Sequence, residues 1–393
     1  MAVHTAGSNH QFEPEIPFIL ASGEERLVAS GVTRLAPLTS GTWLAQGAAL
    51  LASAEHDEAT IVGALPFDHA RPAHLYQPRL VTRERQSRLV APSTSSMVSR
   101  QWRATGRPSR RDYERQVASV LPRLDDGSGR GALRKVVLAR SLELEADGPI
   151  DIGRLFAQLA LDPSITAFQV PLPDAAGLPR VLIGATPELL IDKADEFVTS
   201  LPLAGSAPRS RDAAADRAAG ERLRHSAKDA REHAVVVEWI ADQLTRYCRK
   251  LSVPAMPSLT STHSMWHLAS HIEGELHDAD VSSLELAEVL HPTPAVCGLP
   301  SPEALQEIGR IETFDRAFFA GAIGWANRRG DGRWLMTLRC ADIAGHTATL
   351  YAGAGIVHGS EPEAEGAETS AKLVAMLDAL GVDEDGHAML VDL

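Results

Sequence analysis

Residues 133–144 carry an apolar alternation around Val136, Val137 and Leu138, which predicts a strand, and residues 181–185 predict another that ends at Thr186-Pro187. Between residues 212 and 250 the period changes. Leu223, Ala227, Ala230, Ala234, Val237, Ile240 and Leu244 recur at three- and four-residue steps, the spacing of one long helix. Three further apolar runs, residues 321–325, 334–340 and 347–353, are separated by Arg329-Gly330-Asp331-Gly332 and Ala344-Gly345-His346 and predict a meander of three strands. A final helix opens near Glu365 and runs toward Leu380. Residues 83–114, with eight arginines, predict a loop followed by an exposed helix start. Many antiparallel strands with interspersed helices indicate an α+β fold rather than a doubly wound one.

The 393 residues suffice for two or three domains or for one large α+β domain. A net charge of -13 argues against a phosphate-backbone binder, so no nucleic-acid partner is expected. Cys248, Cys297 and Cys340 lack metal-ligand spacing and fit a reducing, cytoplasmic setting. No apolar run approaches the length of a membrane span, and residues 1–15 are expected to be a flexible leader without secretory character.

Two short acidic pairs carry the candidate chemistry. Asp229 with Glu232, and Glu365 with Glu368, are each three residues apart, so each pair shares one helix face. Four oxygen donors without a nearby cysteine suit a hard cation such as Mg2+, although either pair alone also fits a solvated helix face. Ala352-Gly353-Ala354-Gly355-Ile356-Val357 closes a strand ahead of the second pair. It is no P-loop, because no Gly-Lys-Ser/Thr follows, and taken alone it reads more readily as a plain tight bend than as a ligand cradle.

Several motifs occur together in order: Lys135-Val-Val-Leu-Ala-Arg140, Gly184-Ala-Thr-Pro-Glu188, Pro202-Leu-Ala-Gly-Ser206, Lys228 to His233, Trp266-His267-Leu268, His291 to Gly298, Thr313-Phe-Asp-Arg316, Leu338-Arg339-Cys340 and Glu365 to Lys372. From about residue 63 onward the chain resembles the chorismate-utilising enzymes of the anthranilate synthase large-subunit fold, most of all the isochorismate synthases of siderophore pathways. The resemblance implies a single large chorismate-binding domain with antiparallel sheets packed face to face and helices outside. Residues 16–120 would form its N-terminal part and residues 121–393 its catalytic region.

The implied reaction adds water at C2 of chorismate and expels the C4 hydroxyl. By resemblance, Lys135 is the general base, Glu188 the general acid, and His267 an active-site histidine near the leaving group. Glu232 and Glu368 would bind Mg2+ directly, and Asp229 and Glu365 directly or through water. Backbone amides of Gly205 and Ser206 would hold the ring carboxylate. Arg339, with the amides of Ala354 and Gly355, would hold the enolpyruvyl carboxylate, and Lys372 would contact or balance the carboxylates. His233 reads as a core or supporting group rather than a ligand.

Aminating relatives lack the lysine at position 135 and need a glutaminase partner, so none is expected here. Aminodeoxychorismate synthases carry a lysine where this chain has Ala204. Salicylate synthases typically carry a tyrosine where this chain has Phe319, which favours stopping at isochorismate; salicylate synthesis is the alternative. The expected enzyme is a cytoplasmic monomer serving siderophore, menaquinone or related aromatic biosynthesis.

Overall fold

In a computed structural model, residues 12–23, 25–36, 41–52, 59–85, 101–125, 133–175 and 177–389 are described. The first eleven residues of the expected leader lie outside these. Two large sheets and one small one dominate, and every named strand pair is antiparallel. The ten-stranded sheet contains Lys135–Ala146, Thr347–Val357, Cys340–Ala344 and Leu178–Thr186 as consecutive neighbours. The nine-stranded sheet contains Leu189–Ala194, Gly332–Met336 and Ala322–Asn327 in a row. Leu203–Pro208, Met265–Ala269 and Ser258–Ser261 make the small sheet.

One apolar core joins the two large sheets, with Phe168, Val170 and Ile356 from the first against Ile61, Ile191 and Trp334 from the second. A second core lies between the ten-stranded sheet and two helices. There Ile183, Ile343 and Leu350 meet Leu155 and Phe156 of Ile152–Leu159, and Leu373, Met376 and Leu377 of Pro362–Leu380. Burying both faces of that sheet explains why its strands are apolar almost throughout.

Four expectations change. The helix expected over residues 212–250 is two, Ala213–His225 and Ala227–Thr245, followed by the strand Cys248–Ser252. Ser226 is extended (φ -73°, ψ 112°) and accepts a hydrogen bond on its hydroxyl from the Asp229 amide. A serine in that role starts a new helix, which the apolar period alone does not reveal. The run 334–340 is not one strand. Gly332–Met336 belongs to the nine-stranded sheet and Cys340–Ala344 to the ten-stranded one, so the expected meander is split between two sheets. Residues 83–114 include strands Leu80–Arg85 and Trp102–Arg107 beside the helix Arg110–Val120; the intervening 86–100 lie outside the described residues. The glycine-bearing segment is the straight end of Thr347–Val357, paired with Lys135–Ala146 (Gly353 opposite Ala139, Gly355 opposite Val137), and not a bend.

Candidate active site

The site forms where the chain passes from one sheet to the other. Glu188 stands on the passage from Leu178–Thr186 to Leu189–Ala194, and Arg339 on the passage from Gly332–Met336 to Cys340–Ala344. The two passages run side by side: the Met336 amide donates to the Glu188 carbonyl (3.1 Å), and the Ala185 amide to the Arg339 carbonyl (3.1 Å). Arg339 takes a φ of +46°, which costs a non-glycine residue energy and is tolerated where surrounding structure imposes it.

A single pocket gathers Glu188, Gly205, Ser206, Glu232, His267, Phe319, Arg339, Gly355, Glu368 and Lys372. The sequence reading named all ten. Lys135 is fully buried and does not itself line the pocket, but its Nζ lies 2.9 Å from Oε1 of the lining residue Glu232. The distance is that of an ion pair, but the angle is not that of a hydrogen bond, so among the described residues Nζ has no hydrogen-bond partner. Strand alternation turns the Ala354 side chain into the core, so of this residue only the backbone is placed toward the pocket that Gly353 and Gly355 line.

The acidic pairs lie where their spacing implies. Asp229 occupies the first turn of Ala227–Thr245 and Glu365 the first turn of Pro362–Leu380, with Glu232 and Glu368 a turn further on. Each of three carboxylates meets a lysine: Glu232 with Lys135, Glu365 with Lys228 (2.6 Å) and Glu368 with Lys372 (2.6 Å). The Ser206 hydroxyl also donates to Glu368 (3.0 Å). Burial and the neighbouring Glu368 raise Glu365 above the usual carboxylate range, and burial and Glu232 raise Asp229. For Glu368 burial works upward too, but Lys372, Lys228 and Ser206 outweigh it and hold the carboxyl low.

An all-oxygen, crowded anionic set of this kind fits a hard divalent cation. Three of the four are drawn onto lysines, and among the described residues no three of them have oxygens within 4.8 Å of one another. The one trio that does, Asp383, Asp385 and His387, is a turn in which Asp383 accepts from the amides of residues 385 and 387.

Gly205 is required twice: its φ is +77°, and a Cβ there would lie 2.9 Å from the Asp229 Cβ. Glu188 is buried, and desolvation pushes its carboxyl up to about 7 against the pull of Arg339, Lys135, the Leu203 amide and Lys372. His267 is kept neutral by burial, by Arg339 and by Lys372; its Nε2 lies 3.5 Å from an Arg339 nitrogen. His233 binds the Ala204 carbonyl (3.2 Å) and the Ser270 hydroxyl (2.8 Å), as a supporting group would.

A model of the chorismate binding enzyme family matches residues 48–381. The chain belongs to that family. Isochorismate synthase DhbC of Bacillus subtilis (strain 168) is 41% identical over 385 residues, which cover 95% of this chain and 96% of the relative. The vibriobactin-specific isochorismate synthase of Vibrio cholerae is 36% identical over 389 residues, 97% of this chain and 96% of the relative. The crystal structure of DhbC from Bacillus anthracis is 39% identical, with a TM-score of 0.86 over 94% of this chain and 98% of that one.

Within this chorismate-binding fold the sequence reading missed three contributors. Tyr351 stacks on Phe319, with ring centroids 5.1 Å apart at 10°. Arg316 lines the pocket and donates to the Val137 and Val296 carbonyls, each at 2.8 Å. Lys228 holds Glu365. Arg316 closes the segment Thr313-Phe-Asp-Arg316 and Lys228 opens the segment Lys228 to His233, whereas nothing local in the sequence marks Tyr351.

Proposed function

We propose that this chain is an isochorismate synthase: it isomerises chorismate to isochorismate with Mg2+, without a glutaminase subunit, in siderophore or related aromatic biosynthesis. The carrying observation is Glu188, a buried carboxyl raised to about 7 that shares one pocket with Arg339, Lys372 and one carboxylate of each acidic pair, Glu232 and Glu368. A group poised there can donate a proton near neutral pH. The near full-length relatives named isochorismate synthase support the same reaction.

In this reading Arg339 grips the enolpyruvyl carboxylate through its guanidinium fork, and the amides of Gly205 and Ser206 face the ring carboxylate. Glu232 and Glu368, with Asp229 and Glu365, hold Mg2+. Bound there, the cation supplies positive charge that offsets the dianionic substrate. Lys135 takes a proton from the water that forms the new C–O bond at C2. Both ring double bonds shift, C1=C2 to C6=C1 and C5=C6 to C4=C5, as the C4–O bond breaks, and Glu188 gives its proton to the departing hydroxyl, which leaves as water. One water enters and one leaves, so the result is an isomerisation; Lys135 and Glu188 return to their starting states by proton exchange with solvent. Neutral His267 beside Arg339 orients the guanidinium. Phe319, stacked on Tyr351, brings no hydroxyl to the pocket, in keeping with release of isochorismate rather than onward elimination of pyruvate.

The test is chromatographic product analysis after incubation with chorismate, with and without EDTA. Isochorismate formed only without the chelator is expected; salicylate and pyruvate would instead mark the lyase. Lys135→Ala is expected to abolish turnover while chorismate still binds, and unchanged turnover would remove Lys135 from the mechanism.

A further inference from the structure

Three lysines answer four carboxylates in this site, and two of them have roles: Lys135 as the base and Lys372 beside Glu368 at the pocket wall. We propose that the third, Lys228, is a positioning residue that competes with the cation for Glu365 and sets the site's charge for substrate. The proposal rests on the reading of these carboxylates as the Mg2+ site.

Lys228 and Glu365 come from the first turns of two different helices, Ala227–Thr245 and Pro362–Leu380, and meet at 2.6 Å. The Glu365 carboxylate is 1% exposed, whereas Lys228 is 31% exposed. A buried carboxylate is costly without a partner, so without metal the lysine fills that role. Lys228 is not among the residues lining the pocket. It therefore acts on substrate only through the field it adds, not through contact.

The charge balance gives this a sign. With the four carboxylates ionised, Lys228, Lys372 and Arg339 charged, and Lys135 neutral so that it can act as the base, one negative charge is in excess. A divalent cation turns that into one positive charge, on which a dianion can settle. Removing the Lys228 charge moves both states in the negative direction. The cation then binds more tightly, because its competitor is gone, and the dianionic substrate binds less tightly. General damage to the site would weaken both, so the opposed signs separate the two explanations.

The experiment titrates MgCl2 alone into metal-stripped protein by calorimetry at pH 8, then chorismate into the Mg2+-saturated protein with turnover followed in parallel. Lys228→Met, which keeps the apolar stem, is expected to bind Mg2+ about tenfold tighter and chorismate about tenfold more weakly, the effect of one charge a few ångströms away. Lys228→Arg, which keeps the charge, is expected to restore both values. Lys228→Gln gives the same sign test if the methionine variant fails to fold without metal. Equal or weaker Mg2+ binding in the charge-removed variants would overturn the proposal. Wild-type protein that binds no Mg2+ at all would instead overturn the underlying assignment of the metal site.

Discussion

Gly355 and Glu232 are in a contact that only glycine permits: a Cβ at position 355 would lie 2.2 Å from Glu232 Oε1, and 2.7 Å from the Lys135 Cε. Strand pairing puts Gly355 opposite Val137, two residues from the proposed base. The close approach thus joins the end of one strand to a proposed metal-site carboxylate and to the lysine.

Gly355→Ala is therefore expected to injure chemistry more than folding. The atoms in the way are the flexible ends of Glu232 and Lys135, which can swing aside at small cost to the fold. Displacing them by about an ångström is expected to lower kcat/KM roughly 100-fold. The melting temperature should fall by only a few degrees. Wild-type activity in this variant would show that neither side chain needs its present position.

Glu188 predicts the pH dependence. It must be protonated to donate, and burial raises it to about 7, so kcat/KM should fall as pH rises through that value. Glu188→Gln is expected to lose about 10²- to 10⁴-fold in kcat and the alkaline limb attributed to Glu188. Chorismate affinity should stay level or rise, because the variant removes a negative charge beside a dianion. A pH–rate profile of wild type and variant decides it; a limb that survives the substitution belongs to another group.

Local spacing made much of this site legible. The i, i+3 acidic pairs required only that their segments be helical, and Pro362–Leu380 is a helix as its pattern implied. The motif order then brought in Lys135, Glu188 and Arg339. What local pattern hid was the change of partner. Apolar character continues through residues 334–343, so nothing in it marks where the chain leaves one sheet for another at Arg339. The lysine pairings were hidden in the same way: Lys228 and Glu365 are 137 residues apart, and only tertiary packing brings them together. Ser226, by contrast, was readable, because a serine three residues before an aspartate is a helix-start signal that the apolar period obscured.

Arg140 anchors the last helix and hence Glu365 and Glu368. It is 1% exposed, donates to the Thr369 and Ser370 hydroxyls (2.8 Å each) and pairs with Glu384 at 2.7 Å. Arg140→Met keeps the buried stem but removes all three contacts. A loss of about 1.5–3 kcal/mol is expected from the charged donor's bonds to the two hydroxyls, because Glu384, 31% exposed, is left partly solvated rather than stranded. Because the same helix carries two of the carboxylates proposed to hold Mg2+, Mg2+ affinity should fall as well. Denaturant unfolding and metal titration of one variant measure the two effects; undiminished stability would show that the apolar face alone seats the helix.

Arg316 offers a sharper division between stability and positioning. Its guanidinium donates to the Val296 and Val137 carbonyls and to Glu312, each at 2.8 Å, while Glu312 also accepts from the Ala139 amide at 2.8 Å. The pair is almost wholly buried and ties two pocket walls, at residues 137 and 296, to one point. Arg316→Met strands the Glu312 charge and is expected to cost about 3–5 kcal/mol. Adding Glu312→Gln removes that charge and should recover part of the stability. It does not restore the link between the two carbonyls, so activity should stay low in the double variant. Arg316→Lys keeps a charge but cannot span the same acceptors with a single ammonium, and should fall between wild type and Arg316→Met in both respects. Recovery of activity together with stability in the double variant would mean that Arg316 serves only to neutralise Glu312, and that the pocket walls hold their places without it.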